Sequence, residues 1–359
     1  MNNPLPEFVI NGKHIGNDHP TYFIADIAAN HDGDLERAKA LIWLAKEAGA
    51  DAAKFQHFKA ESIVSDHGFR SLGAQQSHQS KWTKPVFEVY KDASVSLDWT
   101  PELKATCDQA GITFFTSPYA FDLVDAIDPY VPAYKIGSGD ITWIAIIEHI
   151  ASKAKPYILA TGASTMDDVQ RAVAAALAIN PQLALMQCNT NYTGSVENMR
   201  FIQLNVLRCY RAMYPDMVLG LSDHTPGHAA VLGAVTLGAR IVEKHFTDDL
   251  TRNGPDHVFS MNLRTWRDMI DRTRELEAAL GTGIKQVEDN ERETIVLQRR
   301  SIRASQNLSV GHVLCANDLT MLRPCPSVAL APYRTNEILG RVLRHTKSAG
   351  ESFLMTDFE

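Results

Sequence analysis

The sequence predicts an α/β fold: a (β/α)8 TIM barrel followed by a small second domain of short β elements. Three observations carry this. Eight short apolar runs alternate with longer segments of helical period, glycines recur just before the next apolar run, and beyond residue 300 the period changes. Nearly continuous apolar strands separated by helices make a parallel sheet covered on its outer face. Eight is the strand number that closes such a barrel within about 250 residues. The rival, an open doubly wound sheet, carries a Gly-rich turn after its first strand. Here that turn reads DIAANHDGD, and KIGSGD (135–140) lacks GxGxxG spacing.

The strands are expected at YFIADIA (22–28), DAAKFQ (51–56), ITFFTSP (112–118), AYKIGS (133–138), PYILATG (156–162), LALMQCN (183–189), VLGLSDH (218–224) and ARIVEKHF (239–246). Between them, segments such as DLERAKALIWLAKEAGA, TPELKATCDQAG and STMDDVQRAVAAALAI repeat alanine and leucine at i, i+3 and i+4, the period of an amphipathic helix. Gly49, Gly111 and Gly238 supply helix C-terminal stops. The segment 57–100 is too long for an ordinary βα loop and is expected to fold over the barrel mouth. TWRDMIDRTRELEAALGTG (265–283) reads as the last barrel helix. The expected organisation is a barrel over 1–284, a polar linker over 285–299 and a small domain over 300–359, too small to be comfortable without burial against something else.

The composition is 45% hydrophobic and 21% charged, with a net charge of −7 and no block of five like charges. That argues against nucleic acid or an anionic membrane as partner. No apolar run reaches the eighteen or so residues of a membrane span, and MNNPLPEFVINGKHIG lacks the pattern of a secretory signal. Five scattered cysteines without CxxC spacing fit free packing thiols in a reducing, cytoplasmic setting.

In such a barrel chemistry sits at the C-terminal ends of the strands. Those ends read Asp26, Lys54 with Gln56, Ser117, Lys135 with Ser138, Thr161 with Ser164, Asn189 to Tyr192, Ser222 with His224, and Glu243 with His245. Polar groups at the end of every strand suit one convergent site. A lysine in an apolar strand is costly to bury without an anion, so Lys54 and Lys135 point to a ligand bearing phosphate or carboxylate. The alternatives are internal pairs with Asp26 or Glu243, or a Schiff base. His224 and His245 end successive strands and place two imidazoles within reach of one divalent ion with open positions. His31, His228 and His257 are weaker candidates on loops.

These motifs resemble the sialic acid synthase family, the N-acetylneuraminate synthases and their bacterial nonulosonate relatives. The resemblance rests on NHDG, GADAAKFQHFKAE, SPYAFDLVD, YKIGSGD, ATGAS, GLSDHTPG, VEKHFTDD and GPDHVFSM, in this order over almost the whole chain. The C-terminal part resembles that family's antifreeze-like SAF module, a β-clip domain. The resemblance implies condensation of phosphoenolpyruvate with the open-chain aldehyde of an N-acetylated hexosamine, with release of phosphate. It implies that Lys54, Lys135, Ser138, Ser164 and Ser222, with Ser117 beside them, hold phosphoenolpyruvate. His224 and His245 would bind a divalent metal, usually manganese, with magnesium or cobalt as substitutes. Gln56, Tyr192 and Asp256 match sugar-gripping positions, and Arg323 in MLRPCP matches an arginine that reaches the N-acetyl group across a domain-swapped homodimer. Two departures stand out. Asp26 replaces the family's glutamate, the residue that handles protons in water addition, and CNTNYTGS departs from the usual CTSxYP-like stretch, placing Thr190 near the sugar. The acceptor is therefore open between N-acetylmannosamine and a 2,4-diacetamido-trideoxyhexose. The other readings are another phosphoenolpyruvate-dependent 3-deoxy-ulosonate synthase and a non-catalytic sugar-binding protein.

Overall fold

The computed structural model describes residues 6–74 and 77–359, so the first five residues of the N-terminal stretch lie outside it. The chain divides into two compact units, Met1–Gly281 and Thr282–Glu359. The first opens with a hairpin, β1 (Glu7–Ile10) and β2 (Lys13–Gly16), which the strand reading above does not include. Its turn is Asn11-Gly12, both with positive φ (48° and 79°), the backbone that a tight two-residue hairpin turn requires.

Eight parallel strands follow: β3 (Tyr22–Asp26), β4 (Ala52–His57), β5 (Thr113–Pro118), β6 (Tyr134–Ile136), β7 (Tyr157–Ala160), β8 (Leu183–Cys188), β9 (Val218–Asp223) and β10 (Ala239–His245). They run in the order β5-β4-β3-β10-β9-β8-β7-β6, and the outer strands β5 and β6 lie side by side to complete the ring. Each expected strand is present; six end one or more residues early where their last positions leave the ladder, while β4 and β5 lose only their first residue and β4 runs on to His57.

Alternation along each strand builds two cores. Phe23, Ala25, Phe55, Phe114, Leu185, Leu219 and Val242 face outward and pack under the helices. Their neighbours Tyr22, Ile24, Ala52, Phe115, Ile158, Met186, Val218 and Ile241 fill the interior. Phe8, Ile10 and Ile15 of the hairpin join this inner cluster, so the hairpin plugs the end where the strands begin. Gly220 is required by the crowding there, since a Cβ would sit 2.7 Å from the Ile241 carbonyl oxygen and 3.0 Å from Met186. With the lower barrel filled by apolar side chains, the polar residues at the strand ends are left to line its mouth.

Helix caps follow the sequence. Asp34 accepts from the amides of Glu36 and Arg37, while Thr165 with Asp168 and Asn262 with Thr265 form reciprocal capping boxes. The described residues of 57–100 include the short α-helices Ala60–Ile63, Asp66–Ser71 and Val86–Ala93. Phe58, Ile63, Trp82, Val89 and Tyr90 from this segment reach the cavity at the mouth, as its length suggests.

The second unit has its own core of Ile302, Ala304, Leu308, Leu314, Leu330, Ile338, Leu343, Phe353 and Phe358. Its antiparallel pair is β11 (Ser301–Ala304) with β12 (Leu319–Leu322). The stretch 285–299, expected as a linker, includes a helix, Arg292–Gln298.

Candidate active site

A cavity of about 360 Å³ opens at the C-terminal ends of the barrel strands, within the range of small-molecule sites. Strand register creates its floor. Asp26 is level with His245 on one side and Lys54 on the other, and Ser222 is level with both Cys188 and Glu243. Residues far apart in sequence thus share one layer because parallel strands end together.

The two lysines are each paired. Lys54 Nζ donates to Asp26 Oδ2 at 2.7 Å and Lys135 Nζ to Glu243 Oε1 at 2.6 Å, with Lys54 also 3.9 Å from Glu243. The internal pairs weighed in the sequence as an alternative are thus present: Asp26 and Glu243 compensate the two buried lysines, as burial demands. Gln56 Nε2 donates to the same Asp26 oxygen at 3.1 Å. Burial pushes the Asp26 carboxyl up against the opposing pull of Lys54. Burial would raise Glu243 too, but Lys135 and Lys54 hold it well below the usual carboxylate range. Desolvation of the half-buried Asp256, with Asp26 nearby, pushes its carboxyl up to about 7, and burial takes Asp140 up to about 6.

His224 and His245 lie with ring centroids 5.4 Å apart. Burial holds both near 3, reinforced at His224 by His245 and at His245 by Lys54, so both imidazoles are neutral. That is the form that ligates a metal. His224 Nδ1 donates to the Asn189 carbonyl at 2.8 Å, leaving Nε2 with its lone pair, while His245 Nδ1 is buried without a hydrogen-bond partner. A backbone carbonyl fixing one imidazole and an unpartnered nitrogen on the other suit a shared divalent ion. The fit is to a two-histidine site: among the described residues these two do not belong to any group of three ligand side chains. Ser117 Oγ and Glu243 Oε2 are likewise buried without partners at the cavity wall.

Of the residues singled out in the sequence, Asp26, Lys54, Gln56, Ser117, Lys135, Ser138, Tyr192, Ser222, His224, His245 and Asp256 all line this cavity. Ser138 Oγ accepts from the Gly162 amide, and Tyr192 packs edge-on against His224. Ser164 and Thr190 are not among the lining residues. The Ser164 hydroxyl turns back to the Thr161 carbonyl at 2.6 Å, closing the turn before the Thr165 cap. Thr190 packs against Gly162, where a Cβ would lie 2.4 Å from its methyl. Arg323 is an exposed residue of the second unit, directly after β12. The loop histidines stand apart: His31 packs edge-on against Trp99, His228 pairs with Asp268, and His257 joins Asp32 and Thr247.

Sequence reasoning placed Glu243 at a strand end and as a lysine partner, but gave no role to Asp140, Cys188, Tyr119 or the roof residues Phe58, His78, Trp82 and Tyr90, all of which line the cavity. Cys188 was available from the alternation of its strand, since it points inward at a strand end. The roof carries no periodic signal and depends on the path of 57–100.

The NeuB family model matches residues 41–285 and the SAF domain model matches 299–359. The N,N'-diacetyllegionaminic acid synthase of Legionella pneumophila is 33% identical, covering 98% of this chain and 98% of its own. The human N-acetylneuraminate-9-phosphate synthase is 32% identical over 89% of this chain and 87% of its own. Among solved structures, the N-acetylneuraminic acid synthetase of Leptospira borgpetersenii superposes with a TM-score of 0.71 at 26% identity, covering 81% of this chain and 95% of that one. A family match over more than half the chain, with a barrel whose polar strand ends converge, makes this protein a member of the NeuB family, the synthases of sialic-type nonulosonic acids, with a SAF domain at its C-terminal end.

Proposed function

We propose that the chain condenses phosphoenolpyruvate with the open-chain aldehyde of an N-acetylated hexosamine and releases phosphate. The observation that carries this is the paired arrangement of Lys54–Asp26 and Lys135–Glu243 around a cavity that also presents unpartnered Ser117 Oγ, Glu243 Oε2 and His245 Nδ1. Two cations balanced by two carboxylates let the site take a multiply charged anion by re-pairing rather than by burying bare charge. Lys54, Lys135, Ser138 and Ser222, with Ser117, hold the phosphate and carboxylate of phosphoenolpyruvate.

The methylene carbon of phosphoenolpyruvate attacks the aldehyde carbon and forms the new C–C bond. The adjacent carbon, left electron-deficient, takes up water, and Asp26 accepts the proton that water loses. The former aldehyde oxygen takes up a proton to become a hydroxyl. The tetrahedral product then loses phosphate by C–O cleavage to give the keto acid, and the proton of the hydroxyl that came from water leaves with the phosphate as the keto group forms. Asp26 is oriented for this by Lys54 and Gln56, although its carboxylate is one methylene shorter than glutamate's and works through a bridging water. His224 and His245 would hold a manganese-type divalent ion, which supplies Lewis-acid polarisation of the aldehyde oxygen. Gln56, Tyr192 and Asp256 contact the sugar, beneath the aromatic roof. The acceptor is N-acetylmannosamine or a 2,4-diacetamido-trideoxyhexose, and the chain acts as a homodimer in which Arg323 of one copy completes the sugar site of the other. Phosphate release measured against both sugars tests this reading, and absence of release with either counts against it.

A further inference from the structure

At the opposite end of the barrel, the plug hairpin carries a second constellation that the proposed chemistry does not use. Glu7, His14 and His19 place one ligand atom each within 4.8 Å of one another. His14 Nδ1 is 3.1 Å from Glu7 Oε1, and His19 Nε2 is 2.8 Å from Glu7 Oε2. Ligand atoms around a tetrahedral zinc ion with bonds of about 2.0–2.1 Å stand roughly 3.3 Å apart, so small side-chain rotations bring the three onto one ion.

The backbone prepares this arrangement. Glu7 is paired with Gly16 across the hairpin, and His14 with Val9, so Glu7 and His14 lie diagonally on one face. Gly16 leaves no side chain opposite Glu7, where a Cβ would meet Glu7 Cβ at 2.7 Å. The carboxylate therefore leans across the strand. The turn that follows is closed by the His19 amide donating to the Gly16 carbonyl at 3.1 Å, which returns His19 over the hairpin. Arg211 and Arg240 fix that turn by donating to the side-chain and main-chain oxygens of Asn17, at 3.3 and 3.2 Å. Little ordering is left for a ligand to impose.

We propose that Glu7, His14 and His19 form a surface site for a divalent transition ion of the zinc class, separate from the barrel mouth. Two imidazoles and one carboxylate select zinc, copper, nickel or cobalt over calcium and magnesium, which prefer all-oxygen shells. Three protein ligands leave a fourth position for water. The site is separated from His224 and His245 by the length of the barrel strands, on the order of 20 Å at about 3.3 Å per residue, so the two bind independently. The ion stitches the 16–19 turn to the plug.

The test is equilibrium dialysis of the chelator-stripped full chain against zinc alone, followed by metal analysis. The wild type is compared with H14A/H19A, and the same pair is compared in an H224A/H245A background. All three side chains are solvent-accessible, so H14A/H19A leaves the fold intact. The expected result is one zinc ion fewer per chain on losing His14 and His19 in both backgrounds, with E7Q weakening that ion by about tenfold or more. Equal zinc content with and without His14 and His19 would overturn the site, whatever happens at the barrel mouth.

Discussion

Lys54 and Lys135 illustrate what a single residue discloses. Their types and positions pointed to charge at the barrel mouth, but their partners depend on strand register. Asp26 reaches Lys54 because β3 and β4 pair level with each other, while Glu243 on β10 meets Lys135 of β6 across the barrel interior. Replacing Lys54 by alanine strands the buried Asp26 carboxylate and removes a contact to phosphoenolpyruvate. We expect kcat/KM for phosphoenolpyruvate to fall by at least about 10²-fold, and steady-state phosphate release checks it. An H224A variant should lose the mouth's divalent ion and its activity together while keeping its melting behaviour without metal. Two other buried imidazoles tie stability to pH. Burial holds His31 and His57 at about 4, with His31 adding to the depression at His57. In the unfolded chain they titrate near 6.5, so the unfolded state binds more protons between about pH 4 and 6.5. Stability is therefore full above about 6.5 and is lost as pH falls towards 4, by up to roughly 3 kcal/mol per histidine. Denaturant titrations across this window should show the decline, and His57→Gln should flatten it by about one proton.

At the level of elements, the eight barrel strands were legible because each is a short, nearly unbroken apolar run bounded by glycine, proline or polar residues. The strand-end site was legible for the same reason, since barrel closure converts sequence position into a ring. The β1–β2 hairpin escaped notice although Asn11-Gly12 marks it. Each arm is only four residues long and alternates too briefly to stand out. The helix Arg292–Gln298, seven residues long, was short and polar enough to pass for linker. That 57–100 folds over the mouth was legible from its length, but which of its aromatic residues form the roof was not, because the segment has no period to say which side chains turn inward. The hairpin's place in the inner core has a measurable consequence. Ile10 is fully buried among Phe8, Ile15 and the barrel interior. Ile10→Ala should cost about 2–5 kcal/mol in chemical denaturation, whereas the same truncation at exposed Val9 should cost little.

For the whole molecule, one barrel places the proposed chemistry at the ends of its strands and a plug at their beginnings, so stability and catalysis use different faces. The SAF domain folds around its own core and contributes Arg323 in the proposed homodimer. If that reading holds, R323A raises the KM for the sugar while the KM for phosphoenolpyruvate and the metal content stay as in the wild type. The measurement that tests the central claim most directly is phosphate release from phosphoenolpyruvate, with manganese, against N-acetylmannosamine, the 2,4-diacetamido-trideoxyhexoses and plain mannose. The account predicts release with an N-acetylated sugar and none with mannose. No phosphate with any of the N-acetylated sugars, in protein shown to be folded and metal-loaded, would contradict it.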